Sequence, residues 1–461
     1  IMNVMELVIR GGVVATPSEN AVIDVGIDSG KVVQLGGMMS GQQEIDAEGM
    51  FVLPGGVDAH VHLTSPRTGP GGDSWTDNFE IGSRAALAGG ITTVGNMSFP
   101  RQGETMSQGL DRDIADGREN SLVDFFHHPV LLDPDADAVE EISRLAQGGH
   151  PSIKVFLSFR RFDRNVDAFL RAMRAAAEVG SVVLVHCEDA ALMGCCGELV
   201  NEAGLTSHRH YPETRPVVAE RIATERAVGF CEVSGAATYV VHLSSNAALE
   251  VCRNGRARGL PVYVETRPIY LHLERSRFDE VDGAKYAGAP PLREDSDREA
   301  LWAGIADGSV STVATDHAPW TLAQKVDPSL GPAELRQGMA ELETSLPMLW
   351  ALGVATKKIS ISRFVEVTSS NPAKIFGMYP QKGSILPGAD ADLIVMDPNE
   401  TRVIDGSTMH SASGYSPYDG WETTGWPKFT ISRGEVVAEG STVEAKPGRG
   451  LLVPRKPFER P

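Results

Sequence analysis

Hydrophobic positions fall into two textures along the chain. Over the first fifty residues, short β-rich runs at 5–10, 22–28 and 31–35 are separated by Gly11-Gly12, Ser29-Gly30 and Gly36-Gly37, which predicts brief strands joined by turns. The last eighty residues repeat that texture at 391–396, 428–432 and 435–438. Between these ends lie eight nearly continuous apolar runs, at 56–62, 91–97, 122–132, 152–157, 181–187, 238–243, 261–266 and 311–316. Stretches rich in Ala, Glu and Arg with helical spacing fill the gaps, notably 78–88, 166–178, 220–231 and 246–258. Continuous apolar runs suit strands buried on both faces of a parallel sheet. Eight βα units predict an α/β fold, a (β/α)8 TIM barrel with its chemistry at the C-terminal ends of the strands. The two ends then form a small β-sandwich, with residues 1–54 and 384–461 flanking a barrel over 55–383. Gly69-Pro70-Gly71-Gly72, after the first barrel strand, reads as a loop over the barrel mouth.

Composition narrows the partners. The 461 residues are 42% hydrophobic and 22% charged, enough for a substantial core. Acidic residues number 61 against 42 basic ones, a net charge of −19, which disfavours nucleic acid and anionic membranes. The five cysteines are odd in number and lack C-x-x-C spacing, so reduced thiols are expected and neither a disulfide framework nor a cysteine metal site. No apolar run approaches the ~20 residues of a bilayer span, and the first residues carry no basic, apolar leader. The expectation is a soluble cytoplasmic protein.

The sharpest chemical feature is Asp58-Ala59-His60-Val61-His62. Residues two apart on a strand share a face, so both imidazoles point the same way and suit a divalent transition metal. A bare H-x-H also fits two half-buried core histidines, and the loop pair His208 and His210, read as surface, repeats the spacing. Recurrence at other strand ends tips the balance: His186 ends the fifth run, His242 the sixth and Asp316 the eighth. Four neutral imidazoles and one carboxylate carry too little negative charge for two dications, which want an anionic bridge. Lys154 stands in the fourth run where an apolar residue belongs. As an ammonium it would repel metal; carbamylated by CO2 it becomes a bridging anion, and a snorkelling lysine is the plainer alternative. His317, beside Asp316, reads as support for the ligands.

The stretch 53–62, with Thr315-Asp316-His317-Ala318-Pro319 and Gly388-Ala389-Asp390-Ala391-Asp392-Leu393, resembles the amidohydrolase superfamily over nearly the whole chain. More narrowly it resembles the cyclic amidohydrolases: hydantoinases and dihydropyrimidinases, with allantoinases and dihydroorotases as relatives. The resemblance implies a binuclear zinc centre, His60, His62 and Asp316 holding one ion, His186 and His242 the other, and carboxylated Lys154 bridging. It implies a hydroxide between the ions attacking a ring amide carbonyl, with Asp316 carrying its proton to the departing nitrogen. It also implies the split β-sandwich, a small-molecule cyclic amide as substrate, and a homotetramer or dimer.

The ring itself is less sharply marked. Dihydroorotases carry an arginine two positions after H-x-H, where this chain has Thr64, although Arg67, Arg160 or Arg161 offers the same charge from a loop. Dihydropyrimidinases and D-hydantoinases place a tyrosine five residues after the lysine as an oxyanion donor; here it is Phe159. Stretches 337–347 and 371–383 resemble L-type hydantoinases, and Trp75 is similar to a feature of allantoinases. The backbones of Ala289 and of Gln337-Gly338 fall where relatives bind the ring. Met97, Phe156, Phe159, Phe162 and Trp320 are candidates for a substituent pocket or for plain packing. The expected activity is opening of a hydantoin or dihydropyrimidine ring. Allantoinase or other cyclic ureide or imide hydrolysis is the alternative, and a non-catalytic scaffold of the same fold is opposed by the six filled ligand positions.

Overall fold

The computed structural model describes residues 4–64, 74–134 and 136–459. The expected glycine-rich loop at 69–72, Arg67, and the last two residues of the tail lie outside them. Eight parallel strands form the barrel: Gly56–Val61, Ile91–Ser98, Asp124–Pro129, Ser152–Phe156, Val182–His186, Thr238–Val240, Val262–Thr266 and Thr312–Val313. Two seams close the ring. Val61 pairs with His317, His62 N donating to His317 O at 2.9 Å, and Val130 pairs with Lys154, Leu131 N donating to Lys154 O at 2.9 Å. Both seams therefore run through or beside the candidate ligands.

All eight predicted strands are present, but the sixth and eighth stop short of 243 and 316. The cause is local: His242 and Asp316 adopt positive φ angles of 39° and 50°, so the backbone leaves the β region there. Non-glycine residues in that conformation carry strain that surrounding structure must hold. The predicted helices form as Phe79–Ala88, Val166–Glu178, Val217–Ser234 and Asn246–Ala257. Asn78 and Ser245 cap two of them through side-chain bonds to Ile81 N and Ala248 N, satisfying amides that open a helix without partners.

Both chain ends build the β-sandwich. One sheet runs Lys31–Leu35, Val25–Asp28, Val4–Arg10, Ser40–Asp46. In the other, Phe51–Pro54 pairs antiparallel with Leu393–Val403 and parallel with Val13–Ala15, so a block of N-terminal strands meets a block of C-terminal strands along that one antiparallel seam. Leu7, Ile27, Val52, Leu393 and Ile431 fill the space between them and are fully buried. At the junction with the barrel, the Lys382 ammonium reaches Asp124 at 2.5 Å, Asp392 at 2.6 Å and Asp390 at 2.9 Å. The C-terminal segment, as far as Glu459, runs along this chain's own barrel: Phe125 N donates to Leu451 O and Phe458 N to Gly180 O. Among the described residues no helix is long and apolar enough to cross a membrane.

Candidate metal centre

At the C-terminal mouth of the barrel a cavity of about 530 Å³ is lined by His60, His62, Lys154, His186, His242 and Asp316. Asp316 Oδ1 lies 3.1 Å from His60 Nε2 and 2.8 Å from His62 Nε2. The ligand atoms of those three residues all fall within 4.8 Å of one another, close enough for one ion. The His186 and His242 rings stand 4.4 Å apart, and His242 is 5.5 Å from His60, so the two groups adjoin. The six residues proposed from the sequence are thus brought together, although they come from five different strands or the turns just beyond them. His208 and His210 are elsewhere, in a short 3₁₀ turn near the surface where His208 Nε2 meets Glu280 O at 3.0 Å.

The electrostatics favour metal. Burial pushes His60, His186 and His242 below the usual histidine range, so their imidazoles are neutral. Burial likewise brings Lys154 down to about 8, against the pull of Glu265 and Asp316. Lys154 is wholly buried, and its Nζ has no hydrogen-bond partner among the described residues. His62 Nδ1, His242 Nδ1 and Glu265 Oε2 are buried and unpaired in the same way. A buried polar group without a partner costs several kcal/mol, of order ~2–7. A lysine that is neither snorkelling nor salt-bridged, set among neutral imidazoles, fits a divalent-cation site.

Several residues escaped the sequence reading. Glu265 Oε1 lies 2.8 Å from His60 Nδ1, and Glu188 Oε2 lies 2.8 Å from His186 Nε2. Burial lifts the Glu265 carboxyl to about 7 despite Lys154, whereas for Glu188 the opposing charge of Arg215 outweighs burial and holds it at about 2. Each carboxylate fixes the orientation of an imidazole from behind. Arg267, fully buried, donates to Asp316 Oδ2 at 3.1 Å and to Glu341 Oε2 at 2.8 Å. In the sequence Glu265 and Arg267 are visible only as charged residues closing an apolar strand, and Glu188 as a carboxylate two positions after His186, with nothing to declare their partners. His317 accepts Glu341 N at Nδ1, 3.2 Å, and faces Asp77 Oδ2 through Nε2 at 2.9 Å. It therefore holds the segment carrying Glu341.

Of the residues proposed to meet substrate, Ala289, Gln337, Gly338, Phe156, Phe159 and Trp320 line the cavity. Phe159 stacks on Phe156 at 4.6 Å and is 37% exposed. Trp75 and Phe99, the latter unforeseen, extend this aromatic wall to His62, with Trp75 4.7 Å from its ring. Phe162 and Met97 follow the plain-packing alternative: both are fully buried away from the cavity. Thr64 is turned away, bonded to Asp113 Oδ2 at 2.8 Å and to Asn96. Arg161 pairs with Asp133 at 2.9 Å on the surface, and among the described residues the arginines lining the cavity are Arg215 and Arg336.

A closed (β/α)8 barrel with clustered imidazoles and a carboxylate at its strand ends is the frame of a metal-dependent hydrolase. The chain belongs to the Amidohydrolase family, whose sequence model matches residues 51–437, and within it the chain is of the hydantoinase and dihydropyrimidinase type. It is 36% identical to a D-phenylhydantoinase of Escherichia coli O1:K1 / APEC over 464 residues, covering 99% of this chain and 100% of that one. The dihydropyrimidinase structure from Brevibacillus agri NCHU1002 superposes with a TM-score of 0.94 at 33% identity, covering 99% and 100% of the two chains. The L-hydantoinase (dihydropyrimidinase) from Arthrobacter aurescens gives 0.90 at 28% identity, with 98% and 100% covered.

Proposed function

We propose that this protein hydrolyses the cyclic amide bond of a hydantoin or dihydropyrimidine ring. Its centre in this reading holds two divalent ions, zinc by preference, on His60, His62, His186, His242 and Asp316, with carboxylated Lys154 between them. The observation that carries the proposal is Lys154: buried, without a hydrogen-bond partner among the described residues and brought down to about 8 by burial, it presents far more neutral amine to CO2 than an ordinary lysine does. Two such ions supply a water of lowered pKa at neutral pH and a Lewis acid for a carbonyl.

The chain's own residues do the rest. Asp316 takes the water's proton and returns it to the ring nitrogen, which leaves poorly unless protonated. Arg267, at 3.1 Å from Oδ2, holds that carboxylate with Oδ1 turned toward His60 and His62. Ala289 and Gln337 receive the ring edge through the backbone, and Trp75, Phe99, Phe156 and Phe159 offer an apolar wall to its substituent. Phe159 has no hydroxyl for an oxyanion, so that charge falls to the centre itself. Assembly into a tetramer or dimer belongs to the same reading and is checked by sedimentation.

The test is proton release by zinc-supplemented protein, because ring opening liberates a carboxylic acid. The panel comprises dihydrouracil, both enantiomers of a 5-aryl and a 5-alkyl hydantoin, allantoin, dihydroorotate and a cyclic imide. Turnover of a hydantoin or dihydrouracil is expected. Turnover of allantoin alone selects the alternative hydrolase, and silence in a preparation without bound metal points to a scaffold.

A further inference from the structure

Lys325 ends a short helix, Leu322–Lys325, in the connection after the eighth barrel strand. Its side chain is fully buried, yet among the described residues its ammonium meets carbonyls alone. Nζ donates to Ala287 O at 2.6 Å, Arg336 O at 2.6 Å and Gly338 O at 3.0 Å. Burial and the Arg267 charge lower the Lys325 pKa, but three carbonyls within hydrogen-bond distance call for three donors, which an ammonium has and a neutral amine lacks.

Those carbonyls belong to the two segments that carry Ala289 and Gln337 into the cavity. Gly338 N also donates to Ala287 O at 3.1 Å, tying the segments directly. Gly338 has φ +108°, and a Cβ there would sit 2.3 Å from Ala318 O, so the close approach requires glycine. The neighbouring acceptors are taken: Gly288 O by the Tyr211 hydroxyl at 2.7 Å, Pro290 O by the Tyr270 hydroxyl at 2.6 Å, and Gln337 O by Trp320 Nε1 at 2.8 Å. Among the described residues, the N–H and C=O of Ala289 and the N–H of Gln337 have no partner.

We propose that Lys325 is a positioning residue that clamps these two segments so that only the Ala289 and Gln337 backbone groups face the ring. The inference rests on the ring-opening reading above and deepens it. The N–H and C=O of Ala289 match the cis-amide edge of a cyclic ureide or imide, and the Gln337 N–H adds a donor for a ring carbonyl, whatever substituent the ring carries. Recognition through this edge is blind to the 5-position, which is left to the aromatic wall.

The test compares Lys325→Met, which keeps the stem and removes the donors, with Lys325→Gln, which restores two N–H groups. Lys325→Met is expected to raise KM about tenfold, the worth of roughly one hydrogen bond, with kcat changed less than about threefold. The rise is the same for dihydrouracil and a 5-aryl hydantoin, Lys325→Gln falls between, and bound metal is unchanged. Hydrogen exchange at the Gly338 amide accelerates in parallel. An unchanged KM, a fall confined to kcat, or a rise for one substituent only overturns the clamp. If Lys325→Met does not fold, the same outcomes are read on Lys325→Gln. If the wild-type protein opens no ring, the functional reading fails separately, and unchanged exchange at Gly338 in either variant then overturns the clamp.

Discussion

Glu265 Oε1 lies 2.8 Å from His60 Nδ1 and also accepts the His242 backbone N–H at 2.9 Å, so one buried carboxylate sets two candidate ligands from different strands. The hydrogen bond from the His242 N–H helps hold that residue at a positive φ of 39° without glycine. Glu265→Gln keeps the shape and loses the charge. Zinc affinity is expected to fall about 10–100-fold, as when the carboxylate behind a ligating histidine is removed. Chelator titration of the variant measures it; wild-type retention would show that the imidazoles are held by the barrel alone.

Lys154→Ala tests the bridge. The lysine is fully buried with its Nζ unpaired, so its removal deletes no hydrogen bond among the described residues. The expected result is loss of one of two metal equivalents and nearly all turnover, with partial recovery on adding short carboxylic acids. Metal analysis showing two equivalents in the variant would sink the carbamate.

Asp316→Asn separates proton transfer from architecture. The amide keeps the volume beside His60, His62 and Arg267 but takes no proton. Circular dichroism is expected to be unchanged, and kcat to fall about 10²–10⁴-fold, the usual worth of a positioned acid–base group. Near-normal rates would remove Asp316 from the proton path.

Phe159→Tyr adds a hydroxyl at the cavity edge. Phe159 is 37% exposed and stacked on Phe156, so the new oxygen enters without disturbing the core. One further donor to the oxyanion is expected to raise kcat on dihydrouracil by up to about tenfold, within the worth of a single hydrogen bond. A variant with unchanged kcat for every ring would mean that the 159 side chain does not reach the reacting carbonyl.

What could be read before the structure follows from where each signal lives. A barrel strand buried on both faces is a run of apolar residues, so eight runs announce eight strands, and a polar intruder such as Lys154 stands out against them. His60, His62, His186 and His242 were legible because strand ends have a fixed place in this fold. Glu188, Glu265 and Arg267 were not, since a charged residue near a strand end does not declare which imidazole or carboxylate it faces. Lys325 was invisible for a deeper reason: its partners are backbone carbonyls, and those leave no trace in side-chain identity. The early ends of the sixth and eighth strands were missed because a positive φ at histidine or aspartate overrides the β preference of the residues before it.

Lys382 joins the sandwich to the barrel, and its acidic partners make the cost of losing it depend on pH. Asp124, Asp390 and Asp392 resemble a cation site, but the Lys382 ammonium occupies it, bonded to all three. Burial alone would raise Asp124 and Asp390; Lys382 outweighs it and holds both below the usual range, while Asp392, also pushed up by burial, stays above it. The two depressed carboxyls contribute stability that is present above an unfolded pKa of about 3.9 and lost as pH falls through their lower folded values; Asp392 acts in the opposite sense. Lys382→Met strands three carboxylates without that cation and is expected to cost about 3–5 kcal/mol at pH 7. Near pH 4 the same carboxylates take up protons in the variant and no longer need the ammonium, so the gap in denaturant midpoint between variant and wild type narrows. A gap that stays constant from pH 7 to pH 4 would show that Lys382 acts through its packing and not through its charge.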